Sequence, residues 1–324
     1  MIEKISLAYY RLTLIPDNEI IMPQWNKGNI LRGAFGSSLK KLVCALPRGD
    51  NTTICAECLQ MDKCAYSLLF NPVGLNPAKR LKTPPRGYVL KPPLEEKTHY
   101  FKDAPLKFII ILVGDRINFL PYLIVSLREL GRWGIGVNRG KFVLGEMEIF
   151  KDGFWKSIYD RSSNTVSNLG ASILGQELIR KAKDLDAQKI VLQFLTPTRI
   201  KYNPTGEKGK SQIVQIPEFH HLIRRLRDRI NALSVTYCGG PLHINFQKIA
   251  EKALSIKTIR ANLRWVERKR KGVHDQSGFV GEIRYQGDIK EFLPLLVLGE
   301  YLHVGEDAVF GNGWYRIKES RDVF

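Results

Sequence analysis

KIVLQFLTPTRIKYNPTGEKGKSQIVQIPEFHHLIRRLRDRINALSVTY, residues 189–237, joins a β-rich segment to a helix and decides how the rest of the chain is read. Residues 189–201 are rich in β-branched and aromatic side chains, so they predict a strand. Within 217–237, Phe219, Leu222, Ile223, Leu226, Ile230 and Leu233 recur at intervals that put them on one face of a helix. Downstream, TIRANLRWVERK (258–269) and GFVGEIRYQG (278–287) predict two further strands. Asp288 and Glu291 then have capping-box spacing, predicting a helix to about His303 that Pro294 should kink. GWYRIKE (313–319) closes the series as a strand. The order is β-α-β-β-α-β, that of the ferredoxin-like unit.

Upstream, the same order repeats around an insertion. KISLAYYRLTLI (4–15) predicts a strand, and residues 28–44 predict a helix with Ile30, Leu31, Ala34, Phe35, Leu39, Leu42 and Val43 on its apolar face. After a cysteine-rich insertion at about 44–87 come strands at 98–103 and 106–114, a helix at 117–131 and a strand at 141–150. RSSNTVSNLG (161–170) reads as the inter-domain region. The expected fold is therefore α+β, two ferredoxin-like (RRM-like) domains in tandem over 1–183 and 184–324.

With 324 residues, 44% of them hydrophobic and 25% charged, the chain is long enough for two cores and is not a disordered tail. Its 50 Lys and Arg face 32 Asp and Glu, a formal charge of +18 that points to a polyanionic partner. The longest apolar runs, FIIILVG (108–114) and FLPLLVLG (292–299), are far shorter than the roughly 20 residues that span a bilayer, so no membrane association is expected. MIEKISLAYYRL begins with an acid and alternates like a strand, unlike a signal peptide. A cytoplasmic setting is expected.

In a reducing compartment, Cys44, Cys55, Cys58 and Cys64 read as thiolate metal ligands rather than disulfide partners. Four soft donors suit a closed, structural zinc site with no position left for a catalytic water. An iron–sulfur cluster takes the same four thiolates. A catalytic metal is not expected.

RNA-recognition modules share this element order and stack bases on aromatic residues of the sheet. Neither middle strand here carries that aromatic pattern, so charge must do more of the binding. It is densest in RANLRWVERKRK (260–271), with six bases against one acid, and in RIKYNPTGEKGK (199–210), with four against one. The candidate phosphate contacts are Arg199, Lys201, Arg264, Arg268, Lys269, Arg270 and Lys271.

The run GFVGEIRYQGDIKEFLPLLVLGEYLHVGEDAVFGNGWYRI (278–317) resembles the C-terminal region of the CRISPR-associated precursor-RNA processing endoribonucleases, members of the RAMP superfamily. LRGAFGSSLKKLVC (31–44), CAEC (55–58), CAYSLLF (64–70), GRWGIGVNRGKF (131–142) and LQFLTPTRIK (192–201) extend the resemblance over most of the chain. It implies recognition of CRISPR repeat RNA in a precursor transcript, metal-independent cleavage within it, and association with other CRISPR effector subunits as an alternative role. The glycine loop with Gly305, Gly311 and Gly313 is then expected to bring backbone N–H groups close to RNA phosphates. His303 stands where relatives often have another glycine, and Glu306, followed by Asp307, where a lysine is common.

Cleavage by a ribose 2′-OH needs a base, an acid and stabilisation of the phosphorane charge. Relatives often place a catalytic histidine at or after the first helix, but the first histidine of this chain is His99. The candidates for the missing chemistry are His303, His274, Lys40 and Lys63, with Tyr66 as a positioning hydroxyl and Lys41 beside Lys40. A non-catalytic RAMP subunit that binds guide RNA stands as the alternative to an endoribonuclease.

Overall fold

The computed structural model describes residues 2–45, 55, 57–72, 84–167, 169–268 and 275–318. Two compact units result, one of Ile5–Ile173 with Ala232–Gly240, the other of Met1–Lys4, Leu174–Asn231 and Pro241–Phe324.

In the first unit, strand β1 (Ser6–Pro16) is followed by helix α1 (Lys27–Val43), the short helix α2 (Ala65–Phe70) and strands β2 (Tyr88–Lys91) and β3 (Leu106–Val113). Helix α3 (Leu120–Trp133) and strands β4 (Phe142–Lys151) and β5 (Phe154–Ser157) follow. The sheet runs β2-β3-β1-β4-β5, with the two-residue strand Ile173–Leu174 also paired to β1, and β1 is antiparallel to β3 and β4 through registers such as Leu12↔Phe108 and Leu12↔Met147. One face of this central strand is closed, with Ala8, Tyr10, Leu12 and Leu14 fully buried, whereas Tyr9 and Arg11 on the opposite face are half-buried.

The apolar face of α1 differs from the sequence expectation. Leu31, Phe35 and Leu39 are buried together with Gly28, Gly36 and Ser38, whereas Leu42 is exposed. Close helix contact explains the shift. The Ser38 hydroxyl donates to the Ser126 carbonyl on α3 at 2.6 Å, and a Cβ at Gly36 would sit 2.8 Å from the Phe70 ring on α2. Small residues, as well as large ones such as Phe35, which meets the Phe70 ring edge-to-face at 5.1 Å, mark where this helix is gripped. The strand expected at 98–103 is reduced to a two-residue ladder, His99–Tyr100 with Ile20–Ile21. The helix expected at 117–131 begins as a 3-10 turn and is α-helical over Leu120–Trp133.

The second unit contains helix α4 (Gly175–Lys183), strand β6 (Lys189–Thr198), a small hairpin of β7 (Ile200–Tyr202) and β8 (Gln212–Val214), helix α5 (Phe219–Tyr237) as far as Asn231, and helix α6 (Phe246–Leu254). Strands β9 (Lys257–Val266) and β10 (Gly278–Gln286), helix α7 (Leu293–Leu302) and strand β11 (Tyr315–Lys318) follow. The sheet order is β9-β10-β6-β11, antiparallel throughout. All six residues expected on the apolar face of α5 are buried, and Phe219 meets Tyr285 of β10 edge-to-face at 5.1 Å. The Tyr315 hydroxyl donates to the Leu296 carbonyl at 2.7 Å, fixing α7 on the same sheet face.

Two expectations fail here. The Asp288–Glu291 capping box does not form, because a 3-10 turn at Lys290–Phe292 leads directly into α7, whose N-cap Phe292 has no side-chain hydrogen bond. Pro294 produces no kink because it lies in the first turn, where no intrahelical N–H donor is required. Among the described residues, no helix is long and apolar enough to cross a membrane.

Candidate nucleic-acid interface

The glycine loop after α7 is sewn onto the end of β6. His303 adopts φ +62°, caps α7 through its N–H to the Gly299 carbonyl at 2.8 Å, and turns the chain out of the helix. The Thr196 hydroxyl accepts from the Trp314 N–H at 3.0 Å and donates to the Gly311 carbonyl at 2.8 Å. The Gly313 N–H reaches the Pro197 carbonyl at 3.0 Å, and the Glu306 N–H reaches the Arg199 carbonyl at 3.1 Å. Thus TPTR (196–199) and the glycine run, widely separated in sequence, form one structure.

This seat gives the glycines a role different from the expected one. A Cβ at Gly313, where φ is +73°, would lie 1.9 Å from the Val304 carbonyl oxygen. At Gly305, φ +88°, it would lie 2.4 Å from that of Arg199. The amide of Gly311 bonds to the Ala308 carbonyl at 3.0 Å, and Gly311 and Gly313 are both buried. Gly305 and Gly313 permit protein backbones to approach one another, and the Gly311 and Gly313 amides are used within the protein. His303 is fully buried, its Nδ1 3.0 Å from the Asn312 carbonyl oxygen and its ring parallel to Trp314 at 5.9 Å. It holds the loop and is screened from solvent.

Charged groups ring this seat. Glu306 lies 2.7 Å from Lys201 Nζ and 3.2 Å from Arg199 Nε, while Arg199 also donates to Asp275 at 2.8 Å. Asp275 accepts from both the hydroxyl and the amide of Ser277, at 2.5 and 2.9 Å. The Ser277 hydroxyl and amide, and then Arg199, hold this carboxylate far below its ordinary range. Arg268, at the end of this network, donates its backbone N–H to the Ser277 hydroxyl at 2.9 Å, and burial lowers its side-chain pKa. Arg199 and Lys201 are thus partly neutralised.

The freer positive charge is on the sheet. Its helix-covered face carries Ile190, Leu192, Phe194, Phe279, Ile283 and Tyr285. On the opposite face, the registers align Arg260 with Arg284, Arg284 with Val191, and Val191 with Lys318. The adjacent row is Asn262, Glu282, Gln193 and Arg316, followed by Arg264 opposite Val280. Arg260, Arg264 and Arg316 are exposed, and Arg284 is half-buried. Glu282 pairs with Lys318. Rows spaced at the inter-strand distance present several cations on one surface, which suits a phosphate backbone. Arg264 was expected; Arg284, Arg316 and Lys318 were legible only through strand alternation combined with register. Lys269, Arg270, Lys271 and His274 lie outside the described residues.

In the first unit, Lys40 Nζ lies over the Tyr66 ring at 5.8 Å, bringing together two of the expected residues. Tyr66 stacks in parallel on Phe70 at 5.5 Å, so its position is set by α2 packing. Lys63 is exposed just before α2, and Lys41 lies over Trp133 at 4.4 Å. A cavity of about 580 Å³, unforeseen from the sequence, is lined by Arg128, Arg132, Lys141 and Arg161 with Asp17. The expected thiolate centre is not gathered: Cys44, Cys55, Cys58 and Cys64 are free, half-buried thiols. Among the described residues, no group of three or more His, Cys, Asp or Glu is arranged to hold a metal.

Residues 5–170 match the AF_1859_N family model, an N-terminal domain, and residues 192–315 match that of the CRISPR-associated endoribonuclease Cas6. An uncharacterized protein of Archaeoglobus fulgidus is 29% identical over 303 residues, covering 90% of this chain and 91% of its own. Among solved structures, a Cas6 product complex has a TM-score of 0.59 at 16% identity, covering 96% of this chain and 100% of that one. Thermus thermophilus Cas6 gives 0.53 at 15% identity, with coverage of 97% and 99%. A Cas6-RT-Cas1–Cas2 complex gives 0.60 at 16% identity, covering 98% of this chain and 29% of that chain. At such identities the structural likeness is one of fold. The family models supply the remainder: the chain belongs to the AF_1859_N family, and its residues 192–315 match the CRISPR-associated endoribonuclease Cas6 domain.

Proposed function

We propose that this protein matures CRISPR RNA, binding the repeat of a precursor transcript and cutting within it without a catalytic metal. The observation that carries the reading is the coincidence of the Cas6 match over 192–315 with the basic rows formed by β9, β10 and β11. Each unit follows the βαββαβ plan around its principal sheet, and we read both as ferredoxin-like. Arg260, Arg264, Arg284 and Arg316 contact RNA phosphates in this account, which supplies affinity with little sequence readout.

In the cleavage step a 2′-O–P bond forms and the P–O5′ bond breaks. The 2′-OH loses a proton, the departing 5′-oxygen gains one, and the products are a 2′,3′-cyclic phosphate and a 5′-OH. Lys40 is assigned to the phosphorane charge, where a fixed cation favours the transition state over the ground state. Tyr66, held by Phe70, orients the phosphate, and exposed Lys63 adds positive charge before α2. His274 is retained from the sequence as the acid–base candidate.

Incubation with the cognate repeat RNA in EDTA tests this directly. Wild-type protein should yield cyclic-phosphate ends, and Lys40→Ala should slow single-turnover cleavage by roughly 10²-fold with little change in RNA affinity. A second reading, a non-catalytic RAMP subunit in an effector complex, is favoured by the lack of any histidine before His99. Tight RNA binding with no cleavage by the wild type would select it.

A further inference from the structure

A cavity of about 210 Å³ in the second unit lies apart from the glycine loop, and its walls have a different chemistry. Tyr202, the last residue of β7, and His220, at the start of α5, line it beside Arg224; Ile223, Ala250 and Ala253 supply apolar lining. The Tyr202 and His220 rings are 5.5 Å apart at 80°. A planar group that lies on one ring therefore meets the other edge-on. His221 is not part of the lining, but its ring is 4.2 Å from Tyr202 and 4.0 Å from His220. It lies against both rings.

This arrangement differs from an ordinary gap between helices in two respects. Aromatic rings at its wall lie against a third ring rather than being filled by core side chains, and a cation stands at the rim. Arg224 is exposed, with its guanidinium 5.9 Å from the centre of the Tyr202 ring. Arg227, also in the lining, is committed elsewhere: it bonds to Asp228 at 2.6 Å and to the Phe246 carbonyl at 2.9 Å. Burial, the dominant influence, lowers the pKa of His220, while Glu218 opposes the shift. An uncharged imidazole offers a better stacking surface to a neutral heterocycle than a hydrated cation does.

We propose that the Tyr202–His220 cavity seats one unstacked RNA base, with the adjoining phosphate on Arg224. Unpaired bases are commonly taken onto aromatic faces, and such stacking tolerates every base because each has a π-face. The site rests on the reading of the chain as an RNA-binding protein. It adds recognition of a single-stranded nucleotide to the sequence-independent phosphate contacts of the sheet.

The test uses full-length protein and fluorescein-labelled 12-mers of abasic ribose carrying one internal purine. The matched oligonucleotide is abasic at that position too, so that the two RNAs differ by a single base and no other base can occupy the cavity. Wild-type protein should bind the base-containing RNA about tenfold more tightly. Tyr202→Ala and His220→Ala should remove this preference, whereas His220→Phe, which retains a ring, should preserve it. Circular dichroism establishes that each variant is folded. Equal wild-type affinity for the two RNAs overturns the proposal, as does a preference unchanged in both alanine variants. Failure of the broader reading looks different: wild-type protein would bind neither oligonucleotide with salt-sensitive affinity, or would leave the repeat RNA uncut while the base preference survives.

Discussion

The carboxylate of Glu306 stands between Lys201, at 2.7 Å, and Arg199, at 3.2 Å, so one acid occupies two candidate RNA-binding cations. With both ends of this bridge partly exposed, its contribution to stability is small, but its effect on the local potential is larger. Glu306→Gln should strengthen RNA binding by about two- to fivefold at low salt, with the gain shrinking as salt is raised. Titration by fluorescence anisotropy at two ionic strengths checks it; weaker binding by the variant would show that the acid positions these cations instead of masking them.

Across the sheet, Arg260 is paired in register with Arg284, and Arg316 lies in the neighbouring row. If these side chains contact separate phosphates, each alanine substitution should lower the slope of log affinity against log salt by about 0.7 for single-stranded RNA. Substituting all three should be nearly additive if the contacts are independent. An unchanged slope in the triple variant would remove this face from the interface.

Gly313→Val should destabilise the second unit rather than merely weaken RNA binding. Its Cβ would meet the Val304 carbonyl oxygen at 1.9 Å, and its φ of +73° is costly for a branched side chain. The conformational strain alone is about 1–3 kcal/mol. A lowered melting temperature in the absence of RNA is the expected result. Retention of wild-type stability would contradict the role assigned to the seat.

Asp275 gives an acid-dependent signature. Because its folded pKa is lowered, chiefly by Ser277 and then by Arg199, it contributes stability above the ordinary carboxylate pKa and loses that contribution as pH falls through the folded value. Asp275→Asn should lower the melting temperature near neutrality and flatten its decline below about pH 4. Parallel wild-type and variant melting curves across that range would show that Asp275 adds nothing through its charge.

Long amphipathic periods were the most legible part of the sequence. Phe219 to Leu233 placed α5 on the sheet because six apolar residues share one helical face. Capping was less legible, since the Asp288–Glu291 spacing is suppressed by the 3-10 entry to α7 and by Pro294. In α1, Gly36 and Ser38 mark close helix contacts that a search for large apolar residues passes over. The same limitation applied to the site. The glycines drew attention as phosphate binders, but their surroundings are the carbonyls of Val304 and Arg199, which only the folded chain brings near. Arg260 and Arg284 likewise become neighbours only when register is known.

Strand β9 ends its sheet, with Lys257, Arg260 and Arg264 exposed along it and its pairing shifted between Thr258 and Arg260. An unpaired edge would ordinarily invite another chain to extend the sheet. Here, mutual repulsion between like-charged strands and a local break in regular pairing oppose that growth. The positive charge assigned to RNA capture therefore also protects against self-association, so neutralising it completely should exchange an affinity defect for an aggregation one.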